Sequence, residues 1–250
     1  PRSVRLRTRR PCMADLPRVA LVTGGARRLG RAMALALAED GWDVAVHYGG
    51  SAAAAGEVAA AIEGMGRRCA LLRADLARES ETASLVPAAA AALGPLGLLV
   101  NNAAIFELDR LDSMTRASWD RHIEVNLRAP LVLAQAFVAQ LPADAEGVIV
   151  NLLDQRVLNL TPNFLSYSVS KVGLWAATQI LAKQLAQKIR VNAIGPGPAD
   201  KPAEVGDADW QALLDSVPLR RGTSPEEVAA ALRFILAMRS MTGQLVTLDG

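Results

Sequence analysis

The fold class that the sequence predicts is α/β, with a parallel sheet covered by helices on both faces, and three observations predict it. Short runs of valine, isoleucine, leucine and alanine recur without polar alternation, which is typical of strands buried on both faces. Longer segments with helical spacing of apolar residues separate these runs, as crossover connections between parallel strands require. The chain has 250 residues, of which 51% are hydrophobic, and this is enough to bury one full core.

The elements follow one another in regular alternation. Strands are predicted at residues 18–24, 43–48, 69–75, 96–102, 147–153 and 190–195, and helices near 29–40, 52–65, 79–92, 115–140 and 166–187. A further helix begins at Ser224, where a proline and then an acid three residues after the cap form a good helix start. The last eight residues, "GQLVTLDG", are a predicted seventh strand. This order predicts a single doubly wound, Rossmann-like domain over residues 13–250.

Two segments fall outside this alternation. Residues 1–12 contain five arginines and no acid, and we expect them to form an unfolded basic extension, with Met13 as the expected start. Because the whole chain has a formal charge of +2, the remaining residues carry +2 minus 5, or −3, which disfavours nucleic-acid binding by the body of the protein. Residues 196–209 are rich in proline and glycine, and we interpret them as a mobile lid.

Composition excludes several classes of protein. The chain has two cysteines, Cys12 and Cys69, and two histidines, His47 and His122. Their positions favour neither a disulfide framework nor a metal site, so we predict no metal and a reducing, cytoplasmic location. No apolar run approaches the roughly 18 residues that span a bilayer, which predicts a soluble protein without membrane association.

The first predicted strand ends in "TGGARRLG", which predicts a nucleotide-binding turn. Gly24 and Gly30 permit a tight turn and a close approach of a pyrophosphate to the amino end of the next helix. In doubly wound sheets, an acid at the end of the second strand holds the ribose hydroxyl of NAD. The second strand here ends in "HYGGS" without an acid, and Arg27 and Arg28 lie in the first turn. The sequence therefore favours NADP(H) over NAD(H).

Tyr167 and Lys171 are one helical turn apart, so their side chains project from one face of the predicted helix. A tyrosine with an ordinary pKa of about 10 is a poor acid at neutral pH, and a neighbouring ammonium stabilises its phenolate. The spacing predicts that Lys171 lowers the pKa of Tyr167.

Taken in order, the motifs resemble those of the short-chain dehydrogenase/reductase family. They are Thr23-Gly24 with Gly30, Asp75 after the third strand, "NNAA" at residues 101–104, Asn126, Tyr167 with Lys171, and Pro196-Gly197 after the sixth strand. Arg28 stands where the family's T-G-x-x-x-G-x-G has its middle glycine. This arginine, "HYGGSAAAA", "NNAAIF" and Asp154 are similar to pteridine reductases, and dihydromonapterin reductases are similar in having an acid thirteen residues before the tyrosine.

The resemblance implies NADPH as the cofactor, NADH as a less favoured one, and a homotetramer. Trypanosomatid pteridine reductases have a basic residue where this chain has Gly50, so Ser51, Arg27 or Arg28 would have to hold the 2′-phosphate. The cofactor-binding residues that the resemblance implies follow the predicted strands: Gly24, Arg27, Arg28, Leu29, Gly30, His47, Tyr48, Ser51, Asp75, Leu76, Asn102, Ala103, Ala104, Tyr167, Lys171, Pro196 and Gly197.

The same resemblance implies Asp154, Tyr167, Lys171 and Asn126 as catalytic residues. The wider family has a serine at the position of Asp154, whereas a carboxyl group suits a ring nitrogen that takes up a proton as hydride reaches the adjacent carbon. We therefore expect reduction of a C=N bond in a pterin-type substrate, a dihydropterin or dihydrofolate, with Asp154 and Tyr167 as the proton-delivery pair. Phe106, Asp154 and Tyr167 would contact the substrate, Phe106 as a stacking face. Lys171 would also bind the nicotinamide ribose, and Asn126 would hold a proton-relay water.

Several alternatives stay open. Asp154 could only cap the turn after the fifth strand, and Phe106 could only pack its loop. The protein could be a carbonyl or alcohol oxidoreductase of the same family, acting on 3-oxoacyl, sugar or other ketone substrates. It could also be a non-catalytic dinucleotide-binding protein, or bind nucleic acid through its arginine-rich extension.

Overall fold

A computed structural model describes residues 16–199 and 206–250. The predicted basic extension and residues 200–205 of the predicted lid lie outside the described residues. The strands are β1 (Val19–Val22), β2 (Asp43–Tyr48), β3 (Cys69–Arg73), β4 (Leu98–Asn101), β5 (Gly147–Leu152), β6 (Ile189–Pro196) and β7 (Leu245–Leu248). The α-helices are α1 (Arg28–Glu39), α2 (Ala52–Gly64), α3 (Glu79–Leu93), α4 (Arg116–Ile123), α5 (Ala129–Gln140), α6 (Leu165–Gln184), α7 (Asp207–Asp215) and α8 (Pro225–Ala237).

The seven strands form one sheet in the order β3-β2-β1-β4-β5-β6-β7, and every pairing is parallel. This confirms the predicted doubly wound α/β fold. The order reverses between β1 and β4, so the chain crosses to opposite faces of the sheet after these two strands. A reversal of this kind opens a crevice at the carboxyl ends of the strands, where ligands bind in such folds.

The helices bury both faces of the sheet. On one face Met33 and Leu37 of α1 pack with Leu232 of α8, and on the other Leu133 and Phe137 of α5 are almost fully buried. Full burial of such a side chain contributes roughly 1.5–3 kcal/mol. This packed core therefore supports the carboxyl ends of the strands and positions the loops that follow them.

The two edge strands differ from the prediction that the apolar runs are buried on both faces, and all four residues of β7 are only partly buried. In β3, at one edge of the sheet, Leu71 is 40% exposed and Cys69 is only partly buried. An edge strand has a single neighbour and less helical cover, which the apolar content of the run does not reveal.

The helix predicted near residues 115–140 is present, but a π-helical turn interrupts its α-helical hydrogen bonding. α4 ends at Ile123, a π-helical turn follows at Glu124–Arg128, and α5 begins at Ala129. Asn126, the predicted catalytic asparagine, lies in this turn and is fully buried. π-Helical turns inside helices are frequent at functional sites, and this one carries Asn126 toward the carboxyl ends of the strands.

The predicted irregular stretch also extended too far, because α7 begins at Asp207. Asp207 and Asp209 lie in its first turn, where carboxylates interact favourably with the positive end of the helix dipole. The last three residues of the predicted lid therefore belong to a helix.

Among residues 16–199 and 206–250, no helix has the length and apolar character needed to cross a bilayer. Within the same ranges, no cluster of three or more histidine, cysteine, aspartate and glutamate side chains could hold a metal ion.

Candidate active site

A glycine turn joins β1 to α1 at the crevice. Gly24 has a φ of +62°, a left-handed conformation that favours glycine. A Cβ atom on Gly30 would lie 2.2 Å from the carbonyl oxygen of Gly24 and 2.6 Å from Nδ2 of Asn102. Arg28, which begins α1, also has a positive φ, of 50°. This conformation costs a non-glycine residue roughly 1–2 kcal/mol, which accounts for the glycine in the family pattern at this position.

Side chains from the two adjacent strands fix the turn. Thr23 Oγ1 accepts hydrogen bonds from the backbone N–H groups of Asn102 and Ala103 at 2.9 and 3.0 Å. The side-chain amide of Asn102 donates from Nδ2 to the carbonyl oxygens of Thr23 and Gly24 at 2.8 and 3.2 Å. The turn and the "NNAA" segment are therefore one rigid unit.

His47, at the carboxyl end of β2, supports the same turn from behind. Its Nδ1 accepts the N–H of Gly24 at 3.1 Å, and its Nε2 lies 3.2 Å from the carbonyl oxygen of Ala74. A neutral imidazole with its proton on Nε2 satisfies both contacts, and burial lowers the pKa of His47, which favours this neutral form. Direct contact between His47 and a cofactor stays a prediction.

A cleft of about 800 Å³ opens beside the turn, at the carboxyl ends of β1 to β4. A Cβ atom on Gly49 or Gly50, which follow β2, would meet nothing within 4 Å. Arg73 and Arg78 also line the cleft and were not predicted, although each lies within three residues of Asp75 in the sequence. The predicted cofactor residues that line the cleft are Gly24, His47, Asp75, Leu76, Ala103 and Ala104.

The remaining predicted cofactor residues lie at the strand and helix ends around this crevice. Arg27 is the N-cap residue of α1, and Arg28 Nη2 donates to the carbonyl oxygen of Ala199 at 3.1 Å. This bond connects the glycine turn to the last described residue before the 200–205 gap. The other predicted cofactor residues lie at or next to the end of a helix or strand: Leu29 in α1, Tyr48 in β2, Ser51 before α2, Pro196 in β6 and Gly197 after β6.

The residues present at this crevice fit a dinucleotide. The side chain of Arg27 makes no capping hydrogen bond to α1, and the first turn of α1 contains no acid. The backbone N–H groups at the amino end of a helix bind phosphate, aided by the helix dipole. Gly24 and Gly30 keep side-chain bulk away from this end, and the cleft beside it can take the adenosine half of the molecule.

Tyr167, Lys171 and Asp154 meet at the carboxyl end of β5. Tyr167 and Lys171 are buried on α6. Tyr167 Oη donates to Asp154 Oδ2 at 2.9 Å, and Lys171 Nζ donates to the carbonyl oxygen of Leu152 at 2.7 Å. The other carboxylate oxygen of Asp154, Oδ1, accepts the backbone N–H of Arg156 at 2.8 Å and caps a 3-10 turn over Gln155–Val157. Asp154 is therefore both a partner of Tyr167, through Oδ2, and a cap, through Oδ1.

The electrostatics of this group correct the expectation that Lys171 lowers the pKa of Tyr167. Burial, followed by the Asp154 carboxylate, raises the pKa of Tyr167 well above its usual value, because both disfavour a phenolate. Lys171 Nζ lies 5.9 Å from the centre of the Tyr167 ring. Burial also lowers the pKa of Lys171 to about 8, although Asp154 opposes this change. In this structure Tyr167 is a protonated donor.

Asn126 connects the segment after β4 to α6. Its Oδ1 accepts the N–H of Ile105 at 2.9 Å, and its Nδ2 donates to the carbonyl oxygen of Ile105 at 3.0 Å and to Ser170 Oγ at 3.1 Å. These bonds occupy the side-chain amide with protein partners. The structure therefore gives Asn126 a positioning role, and its predicted proton-relay water stays a prediction.

Phe106 lies beside Tyr167, in an aromatic group that the sequence predicted only in part. Its ring stacks on that of Phe164 at a centroid distance of 4.2 Å and meets the Tyr167 ring edge to face at 4.7 Å. Phe164, with a positive φ of 62°, precedes α6. Phe106 remains 48% exposed, so it retains surface for a flat ligand although Phe164 covers one of its faces.

A buried polar network that the sequence analysis did not identify holds the loop after β4. The backbone N–H of Ser166 donates to Asp109 Oδ1 at 3.0 Å, and its hydroxyl donates to Asp109 Oδ2. His122 Nδ1 lies 2.8 Å from Ser166 Oγ, and His122 Nε2 accepts the N–H of Glu107 at 3.2 Å. Ser166 directly precedes Tyr167, so the network also fixes the start of α6. Its members are too far apart in sequence for a local pattern to reveal them.

Comparisons with known sequences agree with this geometry. A family model described as enoyl-(acyl carrier protein) reductase matches residues 24–250. The 3-oxoacyl-[acyl-carrier-protein] reductase FabG of Staphylococcus epidermidis is 31% identical over 92% of this chain and 97% of its own length. A 3-oxoacyl-[acyl-carrier-protein] reductase of Synechocystis is 34% identical over 93% of this chain and 95% of its own length.

Solved structures extend the comparison. FolM alternative dihydrofolate reductase 1 from Brucella suis, in complex with NADP, is 40% identical with a TM-score of 0.90, and the match covers 94% of each chain. A short chain dehydrogenase from Burkholderia cenocepacia, also in complex with NADP, is 37% identical with a TM-score of 0.87, over 94% of this chain and 98% of its own. Sequence and fold agree along nearly the whole length, and this chain belongs to the short-chain dehydrogenase/reductase family of oxidoreductases.

Proposed function

We propose that the protein is an NADPH-dependent reductase that delivers hydride to the C=N bond of a pterin-type substrate, a dihydropterin or dihydrofolate. The observation that carries the proposal is the hydrogen bond of 2.9 Å from Tyr167 Oη to Asp154 Oδ2. A carboxylate beside the proton donor would repel the alkoxide that forms when a ketone is reduced. The same group suits a ring nitrogen, which accepts a proton and becomes a neutral amine.

The chemistry divides between the cofactor and the protein side chains. When bound, the nicotinamide supplies the hydride that the substrate carbon accepts. Tyr167, kept protonated by burial and by Asp154, delivers the proton to the adjacent nitrogen, so the C=N bond gains one hydride and one proton. Lys171, with a pKa of about 8, is mostly cationic at neutral pH and offsets the negative charge that Tyr167 and Asp154 then carry.

The preference for NADPH is supported by the residues at the adenosine end of the crevice. β2 ends at Tyr48 and is followed by Gly49 and Gly50, so it presents no carboxylate to a 2′-phosphate. Arg27 and Arg28 lie at the start of α1, and Ser51 directly precedes α2. The FolM and Burkholderia relatives were both crystallised with NADP. We propose the same cofactor here.

The test is an assay of NADPH and NADH oxidation with biopterin, dihydrobiopterin, dihydrofolate and a panel of ketones and quinones. Under the proposal, dihydropterin or dihydrofolate is reduced with NADPH in clear preference to the ketones. Asp154→Ser, which introduces the residue of the wider family, is expected to lower kcat/KM for the dihydropterin roughly 100-fold or more. Asp154→Asn keeps an oxygen to cap the 3-10 turn and separates loss of the carboxylate from loss of the cap. Full dihydropterin reduction by Asp154→Ser contradicts the assignment.

A second candidate is reduction of a carbonyl group, because the FabG relatives are 3-oxoacyl-[acyl-carrier-protein] reductases. The fold, the crevice and the Tyr167 and Lys171 pair suit that reaction equally. Asp154 is the feature that argues against it. Activity on 3-oxoacyl thioesters or other ketones, with none on dihydropterin or dihydrofolate, would select this candidate.

We also propose a homotetramer. Large apolar side chains lie exposed on the outer surfaces of α6 and α8, with Val169 41%, Ile180 55% and Phe234 47% exposed. Subunit interfaces of homo-oligomers cover apolar helix surfaces of this kind. Size-exclusion chromatography with light scattering should give four times the mass of one chain, and the mass of a single chain would contradict the proposal.

A further inference from the structure

Arg156 lies where the aromatic group and the Asp154–Tyr167 pair meet, and the proposed proton delivery does not use it. Its Nη1 donates to Asp154 Oδ2 at 3.1 Å. Its guanidinium carbon lies 5.4 Å from the ring centres of both Phe106 and Phe164. The side chain is 22% exposed, so a ligand in this region can reach it.

The hydrogen bonding of this guanidinium is incomplete. An arginine side chain has five N–H donors, and Nη1 of Arg156 is engaged by Asp154. Its Nε is buried and has no hydrogen-bond partner among the described residues. A buried donor without an acceptor costs free energy, and such groups in folded proteins call for an explanation such as a binding role. Because Nε is buried, a ligand can reach Arg156 only through the exposed part of its side chain, which is 22% exposed as a whole.

Two donors converge on a single atom in this site. Tyr167 Oη and Arg156 Nη1 both donate to Asp154 Oδ2, at 2.9 and 3.1 Å. A substrate nitrogen that takes its proton from Tyr167 therefore brings the neighbouring substituent of the ring close to the guanidinium. In a dihydropterin, that neighbour of the imine nitrogen N5 is the carbonyl oxygen O4, which accepts hydrogen bonds on the same side of the ring.

We propose that Arg156 is a specificity-determining residue that donates a hydrogen bond to an oxygen beside the C=N bond being reduced. The guanidinium thereby selects oxo-substituted heterocycles over substrates that have a single acceptor, such as simple ketones. Its position against Phe106 and Phe164 places it at the edge of any flat ring that packs on Phe106. The proposal rests on the proposed pterin reductase function.

The test compares two substrates that differ at this position of the ring. They are dihydrobiopterin and its 4-amino analogue, in which an amino group, a donor, replaces O4 and the adjacent ring nitrogen N3 no longer carries a hydrogen. The ratio of kcat/KM for the oxo to the amino substrate is measured with NADPH for the wild type, Arg156→Met and Arg156→Lys. Calorimetric binding of both substrates to the enzyme in the presence of NADP⁺ provides a readout that does not depend on turnover. Arg116→Met, which removes an exposed arginine paired with Asp120 at 2.6 Å on α4, is the matched control.

Loss of a hydrogen bond from a charged donor is expected to lower the oxo-to-amino ratio about 10- to 100-fold in Arg156→Met. Arg156→Lys keeps a cation and should lose less, and Arg116→Met should keep the wild-type ratio. Any effect of Arg156 that acts only through the charge of Asp154 changes both substrates alike and leaves the ratio unaltered.

An unaltered ratio in Arg156→Met overturns the proposal while leaving the pterin reductase function intact. If the wild type reduces ketones and neither pterin, the proposed function itself fails, and the role of Arg156 fails with it. If Arg156→Met does not fold, as judged by circular dichroism, Arg156→Ala, which also removes every donor, decides the matter: a wild-type ratio in both catalysis and binding would overturn the proposal.

Discussion

Lys171→Met is expected to remove a pH-dependent cost that the buried ammonium imposes on folding. Lys171 is 3% exposed, and burial lowers its pKa from 10.5 to about 8. Because the folded pKa lies below the unfolded value, the unfolded state binds more protons between these two values. The stability of the wild type therefore rises with pH across this window, and the charged lysine destabilises the native state at neutral pH.

The magnitude follows from the two pKa values. Their difference corresponds to at most about 3 kcal/mol of destabilisation at low pH, and about 2.5 kcal/mol of this is regained between about pH 7 and about pH 10. The raised pKa values of Tyr167 and Cys69 act in the opposite direction in alkaline solution. Both proteins share those two groups, so the difference between wild type and variant isolates Lys171.

The assay is urea unfolding without cofactor, at one fixed protein concentration, over this pH range. The free energy of unfolding of the wild type minus that of Lys171→Met should become more positive by about 2.5 kcal/mol from about pH 7 to about pH 10. Lys183→Met removes an exposed lysine from the same helix and should show no such trend. A difference that stays constant with pH for Lys171→Met would show that burial does not lower the pKa of this lysine. The variant should also lose reductase activity, because it lacks the cation that offsets the negative charge of Tyr167 and Asp154 after proton delivery.

Three further substitutions, two of them with a control variant, test the construction of the site. Gly30→Ala should abolish NADPH binding in a fluorescence titration, because its Cβ would lie 2.2 Å from a carbonyl oxygen. The control is Gly56→Ala in α2, whose Cβ would meet nothing within 4 Å. This control should stabilise the protein by about 0.5–1 kcal/mol. Thr23→Val leaves two backbone N–H groups without their acceptor. It should lower the free energy of unfolding by about 1–3 kcal/mol for each unpaired N–H group. The control, Thr23→Ser, keeps the hydroxyl and should retain most of the stability. Ser166→Ala disconnects the buried network after β4 and should lower Tm by about 5 °C in a thermal scan; an unchanged Tm would mean that the network is not needed for stability.

Part of the candidate site was predictable because its signals are local. The glycine turn is encoded by residues that must avoid side-chain bulk, and Gly24 and Gly30 do so in the structure. Tyr167 and Lys171 are one helical turn apart in any helix. Asp154 stood out because it ends a strand thirteen residues before Tyr167, where the resembling family has a serine. In each case the spacing along the chain carried the information.

Other parts depend on contacts between distant segments. Arg156 follows Asp154 closely in sequence, yet only packing brings it against Phe106, on the loop after β4, and Phe164, before α6. The network of Asp109, His122 and Ser166 joins segments that are 57 and 44 residues apart. Neither has a local period, a charge run or a turn signature, so no sequence pattern predicts it.

The sequence by itself determined the parallel sheet, the order of strands and helices along the chain, the nucleotide-binding turn and the pairing of Tyr167 with Lys171. It could do so because backbone periodicity and turn chemistry act between near neighbours. The tertiary structure decided the ionisation of these side chains and the partners of Asp154. Burial removes water from Tyr167 and Lys171, and this desolvation makes the tyrosine a weaker acid and the lysine a weaker base than their spacing implies. Desolvation depends on everything that packs around a group, and only the folded chain specifies that.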